Sequence, residues 1–77
     1  MDQVIHYSVD DEPQTTTSRE LTPTQILQNA HIDPATHYLV ELDGKHQKPF
    51  KDNPNEAIHM HDHLVFISIF NGPTTVS

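Results

Sequence analysis

The stretch Leu21-Thr22-Pro23-Thr24-Gln25-Ile26-Leu27 decides the fold, because it holds both the start of a helix and the apolar side that this helix must bury. Thr22 is a typical N-cap, Pro23 suits the first helical position, and Gln25 stands at the spacing of a capping box. A narrow apolar stripe follows, formed by Ile26, Leu27 and Ala30. Asp33-Pro34 ends the pattern, so we predict a helix of about two to three turns that packs on a sheet.

The segments on either side of this helix have the patterns of strands. Upstream, the alternation from Val4 to Val9 predicts a half-buried strand, and an acidic turn at 10–13 leads to a polar edge strand at 15–17. Downstream, residues 38–42 predict a strand that ends in an Asp43-Gly44 hairpin turn. The remaining expectations are a short, imperfect strand around Phe50, a short extended piece at 57–60, and a last, most apolar strand from Leu64 to Phe70.

The predicted order is strand, strand, helix, strand, short strand, strand. One helix packed on a mixed sheet in this order is the β-grasp arrangement, a fold of the α+β class. In that fold the first and last strands are central neighbours, which agrees with the apolar character of 4–9 and 64–70. We therefore predict one domain over residues 1–70 and a flexible tail at 71–77.

Three segments are more specific than a general strand and helix pattern: residues 21–27, His31-Ile32-Asp33-Pro34 and Tyr38-Leu39-Val40. Together they resemble the bacterial multiubiquitin family, whose small ubiquitin-like domains carry a TGRQILxxAGLDP stretch before the third strand. The resemblance covers most of residues 4–70 and continues through Phe50, residues 55–58 and the strand around Phe66. The chain departs from the family's pattern because no Gly-Gly pair follows the last strand.

The resemblance implies a bacterial ubiquitin-like protein modifier, of a kind whose operons are in some cases linked to antiphage defence. It implies three partners: an E1-like activating enzyme, an E2-like conjugating enzyme and a processing peptidase. The implied chemistry is proteolytic exposure of a tail carboxylate, its adenylation, transfer through a thioester, and attachment to a target. The alternative is a β-grasp scaffold domain that is not conjugated and self-associates through an apolar sheet face.

The composition of the chain excludes several classes of partner and of chemical reaction. Four Lys and Arg stand against eleven Asp and Glu, a net charge of −7, so we expect neither nucleic acid nor a membrane surface as a partner. The chain has no cysteine, which removes disulfides and thiol nucleophiles. No stretch has the pattern of a signal peptide or a membrane span, so we expect a cytoplasmic protein. A chain of this size without an activated nucleophile is not expected to be an enzyme.

The tail is the first candidate site. An activating enzyme takes a carboxylate on a slim, extended segment, and Gly72 is the last glycine of the chain. We expect Phe70 to close the last strand, Asn71 and Gly72 to form an exposed joint, and Pro73 to begin a removable extension. Cleavage after Asn71 and cleavage after Gly72 both stay open, because most peptidases cut poorly before proline. An ordinary frayed terminus is the plain alternative.

The last strand is the second candidate site. Both of its alternating sets of side chains are apolar, whereas a single helix covers only one face of a sheet. We therefore expect an uncovered apolar surface that binds partners. We assign this surface to Leu64, Phe66, Ile67 and Ile69. Loop aromatics such as Phe50 or Tyr38 could instead fold over it.

The third candidate is His59-x-His61-x-His63. On a straight strand the three side chains would share one face about 6–7 Å apart, near enough for two of them to chelate zinc, nickel or copper. No further ligand of matching spacing accompanies them, so we expect a solvated turn, no metal and no cofactor. Ser18 and Ser68 lie in no sequence context that activates a hydroxyl.

Overall fold

The computed structural model describes residues 3–72. Within that range the chain forms, in order, strands β1 (Ile5–Val9), β2 (Glu12–Thr16) and β3 (Glu20–Leu21), the helix α1 (Pro23–Asn29), and strands β4 (His37–Asp43), β5 (His46–Pro49), β6 (Ile58–His59) and β7 (Leu64–Phe70). The architecture is α+β, with one short helix packed on a mixed sheet in the described part of the chain.

The main sheet has five strands in the order β2-β1-β7-β4-β5. Its central pair, β1 and β7, is parallel, and the other three pairs are antiparallel. A second sheet pairs β3 with β6. The prediction of a mixed sheet whose first and last strands are central neighbours is therefore confirmed. The sequence does not predict the strand β3, because two residues are too few to show the alternation of a strand.

The helix α1 begins as predicted. The Gln25 N–H donates to Thr22 Oγ1 at 3.1 Å, and the Thr22 N–H donates to Gln25 Oε1 at 2.9 Å, so both halves of the capping box form. Its buried side chains are Pro23, Ile26 and Leu27. The helix ends after seven residues, and His31 then takes a left-handed φ of 62°. No helix in residues 3–72 is long and apolar enough to cross a membrane.

The first hairpin differs from its prediction. Asp10 and Asp11 both have positive φ, 51° and 67°, which allows a turn of only two residues. The strand β2 therefore starts at Glu12, and the prediction of a four-residue turn followed by a strand at 15–17 is wrong. Pro13 lies within β2, where the sheet tolerates its missing N–H because β2 is an edge strand.

The core lies between α1 and the inner face of the main sheet. Its buried cluster consists of Tyr7, Val9, Leu21, Ile26, Leu27, Leu39, Phe50, Ile58, Met60, Leu64 and Phe66. Phe50 is 1% exposed, and its N–H donates to the Leu39 carbonyl at 2.8 Å. The strand predicted around Phe50 therefore ends one residue earlier, at Pro49, and Phe50 itself enters the core.

Two carboxylates continue the parallel pair of β1 and β7 beyond its ends. Asp62 Oδ1 accepts the His6 N–H at 2.9 Å on one side, and Asp10 Oδ1 accepts the Ser68 N–H at 2.8 Å on the other. These side chains supply acceptors for N–H groups that the neighbouring strand does not reach. They fix β7 against β1, and so they fix where the chain leaves the sheet.

Candidate functional site

The side of the main sheet opposite α1 carries an apolar surface on β4 and β7. It consists of three directly opposed cross-strand pairs, Tyr38 with Ile69, Val40 with Ile67, and Leu42 with Val65. None of these six residues belongs to the buried core cluster. We call the six residues the outer apolar face.

The outer apolar face is partly open to solvent. Val65 is 37% exposed, whereas Val40, in the middle, is 5% exposed. Val40 points away from the core cluster, so its neighbours on the same face cover it. The other four residues are half-buried. A contiguous apolar surface on a small domain is typical of a contact site for another protein.

The structure places the four residues predicted as a partner surface on opposite sides of the sheet. Ile67 and Ile69 belong to the outer apolar face. Leu64 and Phe66 are 5% and 0% exposed and belong to the core cluster, so their assignment to a partner surface is wrong. The cause is the pleat, which turns alternate residues of β7 toward α1.

Neither of the two loop aromatics folds over this surface from outside. Phe50 lies in the core cluster, on the other side of the sheet. Tyr38 is itself part of the outer apolar face, opposite Ile69. The Lys51 Nζ lies 5.8 Å from the centroid of the Tyr38 ring, a cation–π contact that puts a positive charge at the rim.

The outer side of the main sheet has no carboxylate at any paired strand position. Besides the outer apolar face, the strand register places six residues on this side: His6, Ser8, Pro13, Thr15, Gln47 and Pro49. The chain carries a net charge of −7, and one of its acidic residues, Asp11, lies at the rim of this side, where it lines a cavity with Pro13 and Val65. A partner that approaches this side meets apolar atoms at the centre and polar atoms around them, with the charged residues Lys51 and Asp11 at the rim, a usual composition for a protein interface.

The chain leaves the main sheet at the end of β7. Phe70 closes the strand, as predicted. Asn71 is exposed and Gly72 is half-buried, and the Asn71 N–H donates to the Thr36 carbonyl at 2.6 Å. Pro73 and the rest of the predicted tail lie outside the described residues. The joint predicted as exposed is therefore exposed at Asn71 and half-buried at Gly72, and its first residue is attached to the domain.

The structure separates the three histidines that were predicted to share one face. The strand β6 ends at His59, and His63 has a φ of 72°, so no straight strand connects them. His59 and His61 line an open cavity of about 490 Å³, whereas His63 and His6 line a different one. In residues 3–72 no three or more His, Cys, Asp or Glu side chains come together in a way that could hold a metal ion.

The two serines considered as nucleophiles take part in hydrogen bonds that hold the fold, Ser68 through its hydroxyl and its N–H and Ser18 through its N–H. The Ser68 hydroxyl donates to Asp10 Oδ2 at 2.6 Å, and the same carboxylate accepts the Ser68 N–H. Ser18 follows β2, where its N–H donates to Thr16 Oγ1 at 3.1 Å. The Ser68 bonds join the first turn to β7.

Tyr7 carries the one polar side-chain atom that is buried without a hydrogen-bond partner among the described residues, its hydroxyl oxygen. Burial raises the pKa of Tyr7, and the nearby Asn29 side chain lowers it by less. Asn29 thus influences the hydroxyl without completing a hydrogen bond to it. The hydroxyl belongs to the core under the end of α1, away from the outer apolar face.

Comparison with known proteins gives no relative for this chain. It matches no protein-family model, no curated protein and no solved structure. The resemblance to the multiubiquitin family therefore stays a prediction, and the functional inference depends on the fold, the outer apolar face and the exit of the chain.

Proposed function

We propose that this protein is a ubiquitin-like modifier with a β-grasp fold, of the bacterial multiubiquitin kind, which partner enzymes attach to targets through its C-terminal segment. The observation that carries the proposal is the position of the outer apolar face. It lies on β4 and β7, and β7 leads directly into the exposed joint at Asn71. An enzyme that docks on this face can therefore hold the domain while it acts on the tail.

The sheet order supports the β-grasp assignment. The long strands occur in the spatial order β2-β1-β7-β4-β5, with the first and last of them parallel at the centre. The helix follows the first hairpin in sequence and packs against β4. Because β7 is central, the chain leaves from the middle of the sheet rather than from an edge.

In the proposed reaction the domain is a substrate and not an enzyme. A peptidase cuts after Asn71 or Gly72, and an activating enzyme adenylates the new carboxylate with ATP, which releases pyrophosphate. A thiol of that enzyme displaces AMP to form a thioester. The conjugating enzyme takes over the thioester, and a target amine or hydroxyl displaces its thiol. Gly72 suits this route because it has no side chain to obstruct a narrow channel.

A scaffold that is not conjugated is the second candidate, because two copies can pair through the outer apolar face. Each copy carries a net charge of −7, which opposes pairing. The absence of carboxylates from the paired positions on the outer side reduces this repulsion where the copies would meet. The tail discriminates between the two: a scaffold keeps its function without residues 71–77, and a modifier loses it.

Binding to activating and conjugating enzymes encoded beside this protein tests the docking half of the proposal. Ile67→Asp puts a charge in the middle of the outer apolar face, and Thr15→Asp puts the same charge on the same side at an exposed edge position. We expect Ile67→Asp to weaken binding by at least about tenfold. We expect Thr15→Asp to bind like the unmodified protein.

Two outcomes contradict the docking proposal. Equal binding by both variants would remove the outer apolar face from the interaction. Self-association that only Ile67→Asp abolishes, with no binding to either enzyme by any form, would support the scaffold instead.

A further inference from the structure

The first residues after β7 are held against the domain at more than one point. The bond from the Asn71 N–H to the Thr36 carbonyl, at 2.6 Å, extends the ladder between β4 and β7 past Phe70. The Phe70 ring lies edge-on to the His37 ring, with 5.4 Å between centroids and 73° between planes. The same ring also lies against Gly72, where an added Cβ would come within 2.7 Å of Phe70 Cζ.

The loop that receives these residues is itself well ordered by hydrogen bonds. Asp33 Oδ1 accepts the Ala35 N–H at 2.9 Å. The Asp33 carbonyl accepts the N–H groups of Thr36 and His37 at 3.2 and 3.1 Å. The Thr36 Oγ1 and the His37 Nδ1 are 2.9 Å apart and share a hydrogen bond. These bonds hold the backbone of Thr36 and the His37 ring, which contact the chain end.

Phe70, the last residue of β7, is a large aromatic residue in an exposed position. It is 68% exposed, although it continues the inner face of β7. It does not belong to the buried core cluster. The Phe70 ring instead contacts the His37 ring and Gly72. Its structural role is therefore at the chain exit and not in the core.

We propose that Phe70, Asn71 and Gly72 form a latch that closes the tail joint onto the loop at 33–37, and that an enzyme acting on the joint must open this latch first. An enzyme that threads the chain through a narrow channel needs the Asn71 N–H and the backbone around Gly72 free. In the closed state Thr36 holds the first and the Phe70 ring covers the second. The latch is a property of the fold, and its effect on an enzyme rests on the proposed function.

Hydrogen exchange of the Asn71 amide, measured by NMR on the full chain, tests the latch without any enzyme. His37→Ala removes the ring under Phe70, and His46→Ala is the matched control because His46 is an exposed strand histidine on β5. We expect His37→Ala to speed exchange at Asn71 roughly three- to tenfold, the scale of one aromatic pair. We expect His46→Ala to leave it unchanged, with the amides of β7 unaffected in both.

Phe70→Ala keeps the test decisive if His37→Ala perturbs the whole domain, because an exposed ring can be removed without opening the core. It is expected to speed exchange at Asn71 at least as much as His37→Ala does. The latch is refuted if the Asn71 amide of the unmodified chain exchanges like that of an unstructured peptide. It is also refuted if the two histidine variants exchange at the same rate.

The effect of the latch on an enzyme can be tested separately from the existence of the latch. If the latch opens in His37→Ala and a peptidase encoded beside this protein cuts that variant faster than His46→Ala, both inferences are supported. If exchange at Asn71 speeds up as expected but no peptidase or activating enzyme acts on any form, the latch stands and the proposed function fails. If cutting is equally fast for both variants while exchange differs, the latch does not control access and that part of the proposal is overturned.

Discussion

Asp10 and Ser68 are 58 residues apart in the chain and are joined by two hydrogen bonds to one carboxylate. Oδ1 accepts the Ser68 N–H at 2.8 Å, and Oδ2 accepts its hydroxyl at 2.6 Å. The Asp10 N–H in turn donates to the Phe66 carbonyl at 3.0 Å. The first turn is therefore attached to the last strand close to the point where the chain leaves the sheet.

Asp10→Asn is expected to destabilise the domain. Asn tolerates the left-handed φ of 51° at this position, but it is neutral and has one acceptor oxygen for two donors. We expect the free energy of unfolding, measured by urea denaturation, to fall by about 1–2 kcal/mol. Asp11→Asn is the matched control, since Asp11 has a φ of 67° in the same turn. Equal losses in the two variants would show that the turn, and not the bonds to Ser68, sets the stability.

Phe66 and Ile67 are adjacent on β7 and are expected to respond in opposite ways to the same charge. Phe66 is 0% exposed in the core, so Phe66→Asp buries a carboxylate among apolar side chains and should cost more than about 4 kcal/mol. Ile67 lies on the outer apolar face, so Ile67→Asp should cost about 1 kcal/mol and leave the domain folded. Circular dichroism and thermal denaturation measure both. Unfolding of both variants would mean that the outer face is a second core.

Tyr7→Phe is expected to stabilise the protein, because it removes a buried hydroxyl that has no hydrogen-bond partner among the described residues. The expected gain is about 1 kcal/mol at neutral pH. Tyr38→Phe is the control on the chain's other tyrosine, which is half-buried on the outer face, and it should change little. A loss of stability in Tyr7→Phe would reveal a bond to the hydroxyl, with Asn29 the first candidate.

The same residue predicts a pH dependence. Burial raises the pKa of Tyr7 in the folded state above its ordinary value of 10.0. As the pH rises past that value, the tyrosine of the unfolded chain loses its proton while the folded one keeps it, so unfolding becomes more favourable. Tyr7→Phe should therefore lose less stability above pH 10 than the unmodified chain. Parallel curves for the two proteins between pH 9 and 11 would contradict this.

Solubility is expected to fall steeply as the pH drops toward 5. The net charge is −7 at pH 7 and the sequence has an isoelectric point near 5.2, so the net charge approaches zero as the pH falls toward 5. A protein near zero net charge loses the repulsion that keeps copies apart, and here the outer apolar face is available for contact. Turbidity that stays flat from pH 7.5 to 5 would contradict the expectation.

Local signals predicted the elements with strong periodicity or capping. The capping box at Thr22 and Gln25 and the apolar run from Leu64 to Phe70 mark α1 and β7 where the structure has them. Both signals are local, because backbone geometry over a few residues determines them. The central pairing of β1 with β7 could also be predicted from the sequence, since the most apolar strands occupy the middle of a sheet.

Contacts between distant residues could not be predicted in the same way. The pattern on β7 shows two apolar faces but not which one α1 covers, so it could not separate Phe66 from Ile67. The sequence predicts an acidic turn at 10–13, but nothing near Asp10 indicates that Ser68 will donate to it. Likewise, the position of His37 under Phe70 depends on the register between β4 and β7, which appears only once the sheet is assembled.

The most direct test of the proposed function is intact-mass analysis of this chain with any peptidase and any activating enzyme that are encoded beside it, in the presence of ATP. We expect loss of the residues after Gly72 or after Asn71, followed by a covalent adduct of the truncated chain with the activating enzyme that a thiol reductant releases. We expect no adduct for the uncut chain. If the uncut chain is charged as well as the truncated one, or if the chain is neither cut nor charged, the protein is not a modifier of the kind proposed.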